Sequence, residues 1–279
     1  MREGTHRRLI VNADDAGLTV GHNRAVIQAH RHGVVTSTSL LANGPAFDDA
    51  VARLRTQPAL GVGVHLTLLE GVPLCPPARV CSLVGGGGWF GRSVVALFRR
   101  LALGQVRLEE VRAEWRAQIE RVLGAGLCVT HLDSHKHVHM HPRLWAVTLS
   151  LAAEYDLGRV RLSRPLALRS VKCALLGLLA VWAQRRAAQR GVRTPHALIG
   201  LEASGHMTTA RAQRALDRPW RGACEWMAHP AYRSDALADL PYRWVADYRF
   251  EEELEALCAA EVRETLARQG IEQVSYAHL

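Results

Sequence analysis

The chain has 279 residues, 48% of them apolar and 22% charged, a balance that excludes disordered, collagenous and membrane-embedded classes and allows one sizeable core. Thirty-five basic against 26 acidic residues give a net charge of +9. The arginines are spread along the chain with no basic, aromatic-interleaved helix, so nucleic acid is not expected as a partner.

The first apolar run, 9–13, reads as a short buried strand that ends in Asp14-Asp15. A helix over 20–32 follows, with Gly33 as its stop. Residues 35–42 read as a second strand, 46–55 as a helix ending before Pro58, and 62–68 as a third strand. Segment 69–107, with Pro73, Pro76, Pro77 and four successive glycines from Gly85, is expected to be an insertion with one helix near 94–103. The glycines do not follow a strand in the dinucleotide pattern, so no nucleotide site is expected. Leu108, Val111, Trp115, Ile119 and Val122 recur at helical spacing. A strand over 129–135 leads to a helix from Pro142 to about 156. Residues 159–162 form another short strand, 168–190 a helix, 197–201 and 224–228 two more strands, and 250–268 a last helix stopped at Gly270. Strands alternating with helices predict an α/β fold with a parallel sheet or barrel, one domain over 1–279.

Six cysteines lack any C-x-x-C pair, so buried, reduced thiols are expected. The start has no apolar stretch of the roughly 7–15 residues a secretory signal needs. The longest apolar run, 173–183, is short of the roughly 20 residues of a membrane span. The expectation is a cytoplasmic protein.

In parallel α/β folds, chemistry gathers at the C-terminal strand ends. Three motifs fall there: Asp14-Asp15, His65, and the tract that holds five of the chain's fourteen histidines, His131, His135, His137, His139 and His141. Imidazole is the commonest metal ligand. Not all five can bind one ion: one or two would ligate, and the rest would orient them or touch substrate. Adjacent carboxylates at a strand end repel, and a bound cation would offset the charge. Asp14 and Asp15 would then divide the work, one a ligand and one a general base, although a helix N-cap pair is the plainer alternative. His65 alone reads as a satisfied core residue, but beside the other motifs as a ligand. His229, before Pro230, could act as general acid or stabilise an oxyanion, or be a loop residue. Two histidines and a carboxylate suit one divalent ion, Zn or, less tightly, Mg, and imply metal-assisted hydrolysis.

Ile10-Val11-Asn12-Ala13-Asp14-Asp15-x-Gly17-Leu18, Gly63-x-His65-Leu66-Thr67-Leu68, Thr130-His131-Leu132-Asp133-Ser134-His135-Lys136-His137-Val138-His139-Met140 and Glu225-x-Met227-x-His229-Pro230 occur in that order. Together they resemble the YdjC-like carbohydrate deacetylases, of which chitooligosaccharide deacetylase is the best-known member. The resemblance implies an irregular (β/α) barrel akin to polysaccharide deacetylases and removal of acetyl from an N-acetylated sugar. It implies Asp15, His65 and His135 as metal ligands, Asp14 as the base and His229 as the acid that protonates the leaving amine. The family usually has Phe after the paired aspartates; Ala16 here implies a wider pocket or altered substrate packing. Pro77-Ala78-Arg79 to Trp89-Phe90, the apolar and basic helix at 171–190, and Gly200-Leu201 to Gly205-x-Met207-Thr208 are similar to the hopanoid-biosynthesis-associated members. That similarity implies an N-acetylglucosaminyl hopanoid glycolipid as substrate, with soluble chitooligosaccharides as the rival and a metal-dependent phosphoesterase as a more distant one. Leu175, Leu176, Leu178, Leu179 and Trp182 beside Lys172, Arg185, Arg186 and Arg190 are compatible with peripheral contact to an anionic membrane, or with an ordinary core-facing helix.

Overall fold

A computed structural model describes residues 7–166 and 171–279. Seven parallel strands form one sheet: β1 (Arg7–Ala16), β2 (Ser37–Leu40), β3 (Gly61–Leu66), β4 (Val129–Ser134), β5 (Ala197–Ile199), β6 (Gly222–Ala228) and β7 (Ile271–Gln273). Their order is β4-β3-β2-β1-β6-β5, with β7 paired to the first three residues of β1. β2, β3 and β5 are short and wholly buried, as strands covered on both faces must be. Residues 159–166 fill the gap between β4 and β5 through single parallel bridges, Leu132 to Val160, Arg159 to Arg193 and Pro165 to Leu198. The sheet thereby curls into an irregular barrel. The strand expected at 159–162 is present only as these bridges. Arg161 N–H bonds Leu132, while Leu166 N–H and Leu198 N–H serve the next edge, so no continuous ladder forms.

The helices are α1 (Val20–His32), α2 (Phe47–Leu54), α3 (Val94–Ala102), α4 (Leu108–Gly124), α5 (Pro142–Glu154), α6 (Val171–Ala188), α7 (Thr209–Leu216), α8 (Asp235–Ala238), α9 (Arg243–Asp247), α10 (Phe250–Cys258) and α11 (Ala260–Arg268). Thr19 Oγ1 caps α1 by accepting from His22 N–H, three basic residues fill its last turn, and Gly33 ends it. α4 buries Val111, Trp115, Ile119 and Val122 as its spacing predicts. The same face buries Glu110 and Glu114. Glu114 accepts the N–H groups of Leu74 (2.9 Å) and Cys75 (2.8 Å), and Glu110 that of Ser82 (2.7 Å). Those carboxylates fasten segment 69–107 to the barrel, so the expected insertion is an ordered cover.

Two further expectations need correction. The helix expected over 250–268 is two helices, α10 and α11, broken at Ala259, whose ψ is 136°. The Leu257 carbonyl is taken by Val34 N–H at 3.0 Å rather than by the next turn. Cys75 and Cys224 are buried and free, as expected, but Cys81 and Cys128 are exposed free thiols. On α6, Leu179 and Trp182 pack against the core while Leu178 is 70% exposed beside exposed Arg185, Arg186 and Arg190. Residues 168–170 of that expected helix, and the side chains of Lys172 and Leu175, lie outside the described residues.

Candidate metal and catalytic centre

The C-terminal ends of β1, β3, β4 and β6 meet at a cavity of about 620 Å³ lined by Asp14, Asp15, His65, His135 and His229 among others. The strand ends thus bring all five predicted residues together. The register of β1 against β2 slips between Ala13 and Ala16, and Asp15 adopts a left-handed φ of 62°. Few non-glycine residues do so, and the kink turns the two neighbouring carboxylates to different partners.

Asp15 Oδ1 lies 2.9 Å from His135 Nδ1 and 3.4 Å from His65 Nε2. One ligand atom from each of Asp15, His65 and His135 falls within 4.8 Å of the others. The far nitrogen of each imidazole also meets a carboxylate: His65 Nδ1 donates to Asp133 Oδ1 at 2.8 Å, and His135 Nε2 to Glu70 Oε2 at 3.0 Å. A carboxylate behind each histidine is the usual support of a metal ligand. The charges agree with that arrangement. Burial would lower the His65 pKa, yet Asp133 and Asp15 push it up to about 10. Burial likewise opposes the charge on His135, and Asp15 and Glu70 outweigh it. Burial would raise the Asp15 carboxyl, but His135 and His65 hold it well below the carboxylate range. The pocket therefore favours positive charge at this point, and its donors fit a divalent transition ion.

Asp14 faces the other way. Arg161, with no exposed surface, grips both its oxygens at 2.6 and 2.7 Å. The same guanidinium pairs with Asp133 Oδ2 at 2.6 Å and Glu225 Oε1 at 2.6 Å. Asn12 Nδ2 adds a bond to Asp14 Oδ1 at 2.7 Å. The repulsion expected between Asp14 and Asp15 is thus relieved on the Asp14 side by an arginine. A carboxylate has about four lone-pair sites, and the named donors fill three on Asp14. The acid also lines the cavity, so it retains a direction in which to accept a proton.

His229 follows β6. Glu253 Oε2 accepts its backbone N–H at 2.5 Å and lies 3.7 Å from its Nδ1. Burial alone would lower the His229 pKa, but Glu253 raises it above the ordinary histidine value.

The other tract histidines separate by their partners. His131 stacks on Tyr276 at 3.7 Å between the hydroxyls of Ser39 and Thr130, and burial lowers it to about 3. His139 bonds Ser134 Oγ and the Arg161 carbonyl and is lowered by burial to about 4. His137 bonds Ser163 Oγ at 3.0 Å and lines the cavity. The Phe98 ring meets His141 at a tilt of 53°, and His141 lines no part of the cavity. Ala16 is buried in β1 and does not line the cavity.

Sequence reasoning missed Arg161, Glu70 and the aromatic wall of Tyr242, Trp244 and Tyr248. Arg161 did carry a signal, being a charge set between Val160 and Leu162 in a strand-like run. Tyr248 donates to or accepts from Ser204 Oγ at 2.7 Å, and its ring lies so close over Gly205 (φ 74°) that a Cβ there would meet it at 2.2 Å. Burial pushes the Tyr248 hydroxyl up to about 12.

Residues 8–268 match the family described as YdjC-like protein. The chain belongs to the YdjC-like family. This YdjC-like chain is 36% identical over 276 residues to a carbohydrate deacetylase of Brevibacillus brevis, covering 98% of this chain and 99% of that one. It is 33% identical to a chitooligosaccharide deacetylase of Escherichia fergusonii, covering 97% and 98% of the two chains. A crystal structure from Enterococcus faecalis, provisionally described as a cellobiose-phosphate cleavage protein, superposes with a TM-score of 0.81 at 32% identity over 98% of each chain.

Proposed function

We propose that this YdjC-like protein is a metal-dependent deacetylase that removes acetyl from an N-acetylglucosamine unit. The observation that carries the reading is the pairing of a carboxylate-backed Asp15–His65–His135 triad with a separate, arginine-held Asp14 in one cavity. Asp15, His65 and His135 would hold the ion, Zn or Mg. A divalent cation held there acidifies water and polarises the amide carbonyl.

The chain's own residues supply the rest. Asp14, held by Arg161, accepts the proton of the attacking water as the water oxygen bonds to the acetyl carbon. The amide C–N bond then breaks, and His229, whose pKa Glu253 raises, gives its proton to the departing amine. Acetate and the free amino sugar result. Trp244, Tyr242 and Tyr248 offer aromatic faces to a sugar ring.

The finer reading is that the sugar is carried by a hopanoid glycolipid. An apolar cavity of about 190 Å³, lined by Leu18, Leu41, Val72, Trp89 and Leu240, shares His135, Glu70 and Trp244 with the main cavity, and so offers room for an apolar extension. Exposed Val95 and Leu103 beside Arg99 on α3, and Leu178 beside Arg185 on α6, suit peripheral contact with an anionic membrane. Among the described residues no helix is long and apolar enough to cross one. The rival substrate, a soluble chitooligosaccharide, is supported by the name of the Escherichia fergusonii relative. Asp14, His65 and Asp133 could also group round an ion, but Arg161 already takes oxygens of Asp14 and Asp133, which disfavours a second metal and with it a two-metal phosphoesterase.

Acetate release from N-acetylglucosaminyl hopanoid in vesicles and from chitobiose, before and after chelation, tests both levels. Release that stops on chelation and returns with Zn or Mg is expected. No acetate from either substrate with metal-loaded protein overturns the deacetylase reading, and release from chitobiose alone overturns the glycolipid.

A further inference from the structure

Glu70, the carboxylate behind His135, has an expensive conformation. Its φ is 62°, in the left-handed region that non-glycine residues avoid. It is only 7% exposed. Its N–H donates to Gly91 O at 2.9 Å, and the following Gly71 carbonyl accepts Phe90 N–H at 3.1 Å. The insertion thus clamps the turn that aims its side chain. The carboxylate then meets donors from two other parts of the chain: His135 Nε2 at 3.0 Å, the Lys136 ammonium, and Trp244 Nε1 at 3.0 Å. A buried carboxylate supplied with donors in this way is fixed in place.

His135 needs such fixing. It sits where β4 gives way to a 3-10 turn (His135–Met140), and Lys136 and His137 after it are both left-handed, with φ of 54° and 55°. An imidazole at the head of an irregular turn has no ladder to set its ring. Asp15 holds Nδ1 and Glu70 holds Nε2, one carboxylate on each edge.

We propose that Glu70 is a positioning residue: it accepts the Nε2–H of His135 and so presents Nδ1 to the ion shared with Asp15 and His65. Through Trp244 Nε1 the same carboxylate ties that ligand to the aromatic wall of the substrate cavity. This inference rests on the ligand assignment made above.

The test is Zn²⁺ affinity of the full chain, stripped of metal and titrated with Zn²⁺ alone against a chromogenic chelator. Glu70→Ala, Glu70→Gln, Trp244→Phe and His65→Ala are compared with the unaltered protein, and each metal-free melting temperature is recorded. Loss of a carboxylate behind a metal-binding histidine typically weakens affinity about 10–100-fold. That loss is expected for Glu70→Ala, with a smaller one for Glu70→Gln, whose amide oxygen still accepts from Nε2–H. Zn²⁺ should also change the tryptophan fluorescence of the unaltered protein, and this change should shrink in Trp244→Phe and in Glu70→Ala. Should Glu70→Ala fold poorly, Glu70→Gln carries the comparison. A Glu70→Gln affinity equal to the unaltered protein's, together with a Glu70→Ala loss matched by a collapsed melting temperature, overturns the proposal. So does a Glu70→Ala affinity within twofold of the unaltered protein's, while His65→Ala binds poorly. Zn²⁺ bound equally well by His65→Ala would instead overturn the ligand assignment, and the positioning role with it.

Discussion

Arg161→Met tests whether one guanidinium holds the base of the site together. Arg161 has no exposed surface and lies within 2.7 Å of oxygens on Asp14, Asp133 and Glu225. Methionine fills much of its volume but leaves three buried carboxylates facing one another. Removing one partner from a buried ion pair costs about 3–5 kcal/mol. At about 2–4 °C per kcal/mol for a large domain, melting should fall by roughly 6–20 °C at pH 8. The pH dependence fixes the cause. In the unaltered chain burial would raise the Asp133 carboxyl, but Arg161 and His65 outweigh it and hold it far below the ordinary value. A depressed carboxyl contributes stability that is fully present above its unfolded pKa of about 3.9 and is lost as pH falls through its folded value. Without Arg161 the burial effect on Asp133 dominates and its carboxyl rises above that unfolded value. The penalty then exists only where it must ionise, so the deficit should be widest near pH 8 and narrower at pH 5. Calorimetric melts of both proteins at the two pH values decide it. A variant melting within about 2 °C of the unaltered chain at pH 8, or a deficit that grows on acidification, would refute the reasoning.

Asp14→Asn should lower kcat by about 10²–10⁴-fold at unchanged Zn stoichiometry; metal lost along with the rate would instead make Asp14 a ligand. The acid proposed here, His229, must be protonated to act, and its pKa is raised, so the basic limb of kcat/KM should lie above the ordinary histidine value of about 6.5. Glu253→Gln removes the raising influence and should move that limb to lower pH; a limb that does not move assigns it to another group. Gly63→Ala places a Cβ 2.3 Å from the His131 ring, which is pinned against Tyr276 at 3.7 Å. Overpacking there should cost about 1–3 kcal/mol in denaturant unfolding, and an unchanged midpoint would mean the ring can yield.

Much of the barrel is legible because its signals are local. Thr19, the basic last turn and Gly33 bound α1 within a few residues, and the 3.6-residue spacing of Val111, Trp115, Ile119 and Val122 is the buried face of α4. What escapes is whatever depends on a distant partner. β7 is three residues long with two of them exposed, and it is a strand only because residues 7–9 are there to pair with it. The break at Ala259 has no glycine or proline to announce it; it follows from Val34 claiming the Leu257 carbonyl. The bridges at 159–166 exist because the barrel must close between β4 and β5.

The same distinction governs the site. Asp14, Asp15, His65, His135 and His229 can be picked out because strand ends converge in such folds, but their division of labour is set across the chain. Within the tract, His131, His135 and His139 are all buried imidazoles. What separates them is what the two ring nitrogens find. His131 and His139 meet hydroxyls and a carbonyl, and burial then keeps both neutral, as dry hydrogen-bonding struts. His135 meets carboxylates at both edges, one 120 residues away and the other 65. His65 meets Asp15 and Asp133, the latter 68 residues away. No spacing rule within an eleven-residue tract can carry that information. The histidines proposed as ligands are set apart by remote carboxylates that fix their far edges, and the chain must fold before any one histidine differs from its neighbours.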